Sequence, residues 1–133
     1  MTSLATRRQA GQETLQAVLA VSFMLLPVLF GILEFGSLLH VWMGQQAAAA
    51  IGARVAGERG EDDGLVRQRI AAELEAAGLD PARIQVSVSP GFVHWGQPIA
   101  VRLTSRRHLA IPFLFSRDLD LSSSYIGRGE VNH

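Results

Sequence analysis

The sequence predicts an α+β protein, with a long N-terminal transmembrane helix followed by a small domain of one amphipathic helix and a three-stranded antiparallel sheet. Three observations lead there. From Thr14 to Leu33, twenty consecutive residues carry no formal charge, and most are strongly apolar. Residues 66–77 repeat apolar side chains at helical spacing. From Ile84 onward the repeat changes to the period of two that marks strands.

The uncharged run comes first. At about 1.5 Å per residue it covers roughly 30 Å, the thickness of a bilayer's hydrocarbon core. It explains much of the 48% hydrophobic content of a 133-residue chain. Arg7 and Arg8 precede it, and a short basic flank of this kind is retained in the cytoplasm. Arg54 and Arg59 lie near the edge of the window in which charge sets topology, so the expected orientation is N-terminus inside, C-terminal domain outside. A cleaved secretory signal is the competing reading. Its apolar region is shorter, 7–15 residues, and Glu34, Phe35, His40 and Trp42 separate this run from the small residues Ala47–Ala50 that would imitate a cleavage site.

The helix is expected to continue past Leu33, because no proline interrupts the chain as far as Ala56. Trp42 and His40 fit an outer membrane interface, where amphipathic rings are enriched. Ala47, Ala50, Ala53 and Gly57 belong to a run of small residues that either lets another helix approach closely or reflects plain helix propensity. Pro27 removes a backbone donor inside the span, so a kink is expected there.

From Gly57 to Gly64, three glycines and the pair Asp62–Asp63 read as a turn and a helix start. Val66, Ile70, Leu74 and Ala77 then form one apolar face. Gly78 supplies a C-terminal cap, and Asp80–Pro81 prevents continuation. Ile84, Val86 and Val88 alternate with polar residues, as do Ile99, Val101 and Leu103, with a glycine-containing connector from Pro90 to Gln97. Two such runs suggest an antiparallel pair. A third strand is expected from Leu119 to Tyr125. The apolar segment Leu109–Phe115 reads as a loop whose aromatics cap the core. The sharper reading is an exposed patch that docks a partner or the bilayer.

Chemistry is thinly represented. There is no cysteine, which excludes disulfides, thiolate metal sites and thiol catalysis. His40, His94, His108 and His133 show no metal-ligand spacing. Ser122–Ser124 lacks a nucleophile-elbow context, and Gly91 to Gly96 lacks the lysine of a phosphate loop. Net charge is zero, so nucleic acid is not an expected partner. No acid, base and nucleophile can be assembled, and the expectation is a non-enzymatic protein with no cofactor, no catalytic residues and no metal site.

Arg7-Arg8-Gln9-Ala10-Gly11-Gln12, followed at once by an apolar helix, resembles the prepilin class of bacterial secretion substrates. Leu26-Pro27 and then Gly31-Ile32-Leu33-Glu34-Phe35-Gly36 look like a stretch of the TadE-like family, the minor pilins or pseudopilins of tight-adherence (Flp-type, type IV-like) pilus systems. Ala47–Ala50 with Gly52-Ala53-Arg54-Val55-Ala56 looks like a second stretch of it. Leu119-Asp120-Leu121-Ser122-Ser123-Ser124-Tyr125, with Arg128 and Glu130, resembles its final strand. The order and spacing of these motifs carry the resemblance.

It implies a pilin-like fold divided into a basic leader (1–11), a transmembrane and stalk helix (12–57) and an extracytoplasmic domain (58–133). It also implies cleavage by a prepilin peptidase between Gly11 and Gln12. The implied partners are other pilins or pseudopilins, pilus assembly proteins and membrane lipid, and the implied location is the bacterial inner membrane or the pilus. The family's glutamate at the fifth position after cleavage is here Gln16, which offers no charge to a neighbour's amine. The alternative is an unprocessed single-pass scaffold whose outer domain binds another envelope protein.

Overall fold

The computed structural model describes residues 3–132, with side chains described at position 9 and from position 11 onward. Met1 and Thr2 of the leader lie outside the described residues. The elements are a helix α1 (Ser3–Arg59), a helix α2 (Gly64–Ala76), and strands β1 (Ile84–Ser89), β2 (Pro98–Ile111) and β3 (Phe115–Arg128). The strands form one sheet in the order β1-β2-β3. The α+β layout is therefore as expected, with one long apolar helix leading it.

The chain divides into two compact units. One joins α1 up to Gly36 with Leu109–Arg117; the other joins Ser37–His108 with the chain from Asp118.

The second unit holds the core. From α2 it takes Val66, Ile70 and Leu74, the expected face. From the sheet it takes Ile84, Ile99, Val101 and Leu103, and from the connector Val93. Leu79, in the turn after α2, adds one more, and the rest comes from α1: Val41, Ala48, Ala49, Ala53 and Ala56 are all buried. This second half of α1 is thus a core helix of the domain. A sheet of three strands needs a covering surface, and α2 is not the only helix that supplies buried side chains.

Local chemistry sets the element ends. Asp63 is the N-cap of α2, accepting from the backbone N–H groups of Leu65 and Val66 at 3.0 Å each. Gly78 follows the cap with φ +75°, a conformation that costs glycine nothing. Asp80 then starts a 3-10 turn, Pro81–Arg83, accepting from Ala82 N–H. β1 and β2 pair antiparallel from Ile84↔Ser105 to Ser89↔Ala100.

Two strands are longer than the apolar alternation suggests. β2 continues to Ile111 and β3 begins at Phe115. The extension carries cross-strand charges in place of apolar pairs: Arg106 Nε donates to Asp120 Oδ1 at 3.3 Å, and His108 Nδ1 to Asp118 Oδ1 at 2.7 Å. In consequence Leu109–Phe115 is no loop capping the core. It is the end of a β-hairpin, it groups with the first half of α1, and its Phe113, Leu114 and Phe115 are exposed.

Candidate functional site

Among the described residues the geometry brings no catalytic constellation together; the candidate surface is the helix α1, and its two halves differ. Between Leu15 and Phe35 large apolar side chains are exposed on every side, among them Leu19, Phe23, Met24, Leu25, Leu29 and Ile32. A helix that is apolar all round is stable only when something apolar surrounds it. By length and composition α1 can cross a membrane. Pro27 lies inside this stretch, half-buried, and the helix runs through it without a break.

Gly11, Gln12 and Gln16, the implied cleavage and assembly positions, are all exposed on α1. A side chain at Gly11 would meet no atom within 4 Å.

The small residues fall in different places. Ala47 is exposed and Ala50 is half-buried. Ala53 is fully buried, and its backbone carbonyl stands where a side chain at Gly127 of β3 would go. Gly57 is also buried, with the Arg128 carbonyl oxygen in the space its Cβ would need. Gly52 faces Ile70, whose side chain would lie 2.6 Å from an added Cβ, and Gly44 faces Leu79 at 2.7 Å. Gly44, Gly52, Ala53 and Gly57 therefore let the chain's own sheet, α2 and the turn after α2 approach α1. Close approach is the use the small residues suggested, but at these four positions the partner is intramolecular.

Three polar features accompany this packing. His40 Nε2 donates to the Ala77 carbonyl oxygen at 3.0 Å, tying α1 to the end of α2. Gln45 is fully buried, and its Nε2 donates to Ser105 Oγ on β2. Gln45 Oε1 and Ser123 Oγ are buried without a partner among the described residues. Sequence reasoning passed over Gln45. Its signal was a polar pair, Gln45-Gln46, standing directly before the small-residue run.

Electrostatics here is structural. Asp63 is held below the usual carboxylate range, first by the Val66 N–H and then by Arg59, with which it forms an ion pair. Asp118 is held down first by its hydrogen bond from His108. A concavity of about 220 Å³ is lined by Val41, Asp80, Arg83, Ser105 and Arg106 among others. Its Arg83 and Arg106 already pair with Asp80 and Asp120. Among the described residues no group of three His, Cys, Asp or Glu side chains could hold a metal. No family model matches the chain, and no curated protein or solved structure matches it either.

Proposed function

We propose that this chain is a non-enzymatic structural component of a tight-adherence pilus, a TadE-like minor pilin or pseudopilin held in the bacterial inner membrane with its domain outside. One combination carries the reading: a leader-like Arg7-Arg8…Gly11-Gln12, an exposed apolar helix directly after it, and the same helix continuing into the core of a small α+β domain. A membrane tether alone has no need to enter the domain's core. A subunit that must transmit position from its anchored end to its outer domain does.

Gln16 limits the role. An acidic side chain in a bilayer is costly and needs a partner; glutamine lowers both the cost and the demand. The reading is therefore a priming or adapting subunit, with other pilins, assembly proteins and the prepilin peptidase as partners. The same Gln16 favours the second reading, an unprocessed scaffold for another envelope protein.

Mass spectrometry of the protein extracted from cells with an active prepilin peptidase separates the two. The pilus reading expects a chain beginning at Gln12, and retention of the leader together with loss of pilus function in Gly11→Asp. A wild-type chain that keeps its leader, with function unchanged in Gly11→Asp, contradicts it.

A further inference from the structure

The hairpin end Leu109–Phe115 has a polarity that the pilus reading does not use. Seven residues in a row are apolar, and the charges begin close by on both strands: Arg107 and His108 before them, Arg117 and Asp118 after. Behind that step the strands are joined by the two exposed cross-strand pairs, Arg106–Asp120 and His108–Asp118. One end of a single hairpin is thus built for an apolar medium and the rest for water.

The turn itself is costly. The Leu114 N–H donates to the Ile111 carbonyl at 3.1 Å, placing Pro112 and Phe113 at the centre of a β-turn. Phe113 has φ +66°. That position in a turn with proline before it favours glycine or asparagine, and a bulky residue there is a true outlier. Glycine would relieve the backbone, so the ring must contribute something. Within this unit it meets Phe23, with ring centroids 4.7 Å apart, yet Phe113 remains 72% exposed. Leu114 is 65% exposed and Phe115 50%. The contact with α1 accounts for only part of what three large apolar side chains at a turn require.

We propose that this hairpin end inserts into the phospholipid bilayer beside α1, so that the protein holds the membrane at two points. The inference rests on α1 spanning the membrane. Its occupant is set by continuity: Phe23, against which Phe113 packs, lies in the middle of the uncharged run, and Ile111 lies near Gly31. Whatever surrounds Phe23 and Gly31 also reaches the hairpin end. Arg107 and Arg117 at the polarity step match the lipid phosphates, which guanidinium groups bind well.

Depth follows from geometry. Open strand edges are costly anywhere in hydrocarbon, so insertion is limited to the hairpin end, where three residues per strand give about 10 Å. The seven residue steps of helix from Phe23 to Phe30 also make about 10 Å. The outer hydrocarbon boundary then falls near Phe30. Twenty residues ending there begin at Gly11 and still cover about 30 Å. The span moves to 11–30, which leaves Glu34 outside the hydrocarbon and sets Glu13 about 3 Å inside the opposite boundary, within reach of the headgroups.

The absence of cysteine makes the test direct. Single variants Leu19→Cys, Leu114→Cys and Gln97→Cys carry an environment-sensitive fluorophore in the full chain, reconstituted in phosphatidylethanolamine–phosphatidylglycerol vesicles. Quenching by nitroxide on the acyl chains is compared with quenching by iodide in the buffer. The proposal expects the Leu114 and Leu19 sites to be quenched by the acyl chains. It expects iodide quenching at Leu114 to be several-fold weaker than at Gln97. A Leu19 site in lipid with a Leu114 site open to iodide overturns the inserted hairpin and leaves the anchor standing. A Leu114 site shielded from both quenchers means a protein covers it, which also overturns the proposal. A Leu19 site open to iodide overturns both readings together.

Discussion

The two halves of α1 are one helix with opposite surroundings. Up to Gly36 its large side chains face outward, and Leu19, Leu25 and Ile32 are all at least 60% exposed. From Val41 to Gly57 its inward residues are small and fully covered, with Ala48, Ala49, Ala53 and Ala56 at 0%. The first half needs an apolar solvent supplied from outside the chain. The second makes its own from α2 and the sheet. Hydrophobic content alone therefore does not assign a helix to a membrane; side-chain size does more. Large side chains fill a fluid medium, and small ones admit a backbone.

Paired substitutions in the two halves put this comparison at risk. The largest effect is expected in the domain core. Ile70→Ala, which empties the face that α2 turns toward Gly52, should cost about 2–5 kcal/mol in urea unfolding of the detergent-solubilised chain. Leu25→Ala in the exposed half should change that same transition by less than about 0.5 kcal/mol.

Next comes backbone approach. Gly57→Ala drives a methyl group into the Arg128 carbonyl and should destabilise the domain by about 1–3 kcal/mol through overpacking. Gly36→Ala meets nothing within 4 Å. It should be neutral or favour the helix by up to about 1 kcal/mol. Equal costs at the two glycines would remove the distinction between the halves.

An effect of the same order is expected from the buried amide. Gln45→Ala leaves Ser105 Oγ without its donor and should cost about 1–3 kcal/mol in the same unfolding measurement. Gln16→Ala, on the exposed half, should leave the transition within about 0.5 kcal/mol of wild type.

The smallest effect concerns acid. The Asp63 carboxyl is lowered in the folded state, so its contribution is complete above the ordinary carboxylate range. It is lost as pH falls through the lowered value. The melting temperature of the domain should fall on acidification. Asp63→Asn, which keeps an N-cap acceptor without a titrating group, should flatten that fall. An unchanged acid profile would remove Asp63 from the account.

The legible parts of the fold were those where one local signal decided the outcome. α2 and β1 match their expected limits to within a residue because caps and strict alternation mark them. β2 and β3 were read short because their outer parts alternate charges, and Arg106–Asp120 and His108–Asp118 become informative only once the strands are paired. Leu109–Phe115 was misread for the same reason, since an apolar run between two unseen strand extensions looks like a loop.

The domain's use of α1 was hidden differently. Ala53 and Gly57 announce close approach, but nothing local says whether the approaching backbone belongs to another chain or to Gly127 and Arg128, some seventy residues away. The pair Gln45-Gln46 hints at a buried polar position, but nothing local identifies its partner, because Ser105 lies on a strand whose register no local pattern sets.

The division of α1 is tested most directly by single cysteines along it, reacted with a membrane-impermeant thiol reagent from the domain side of intact membrane vesicles. Leu19→Cys and Leu25→Cys should stay unlabelled until detergent is added, while Met43→Cys and Ala47→Cys, both exposed in the structure, should label at once. Labelling of Leu19 and Leu25 at the rate of Ala47 before detergent would contradict it.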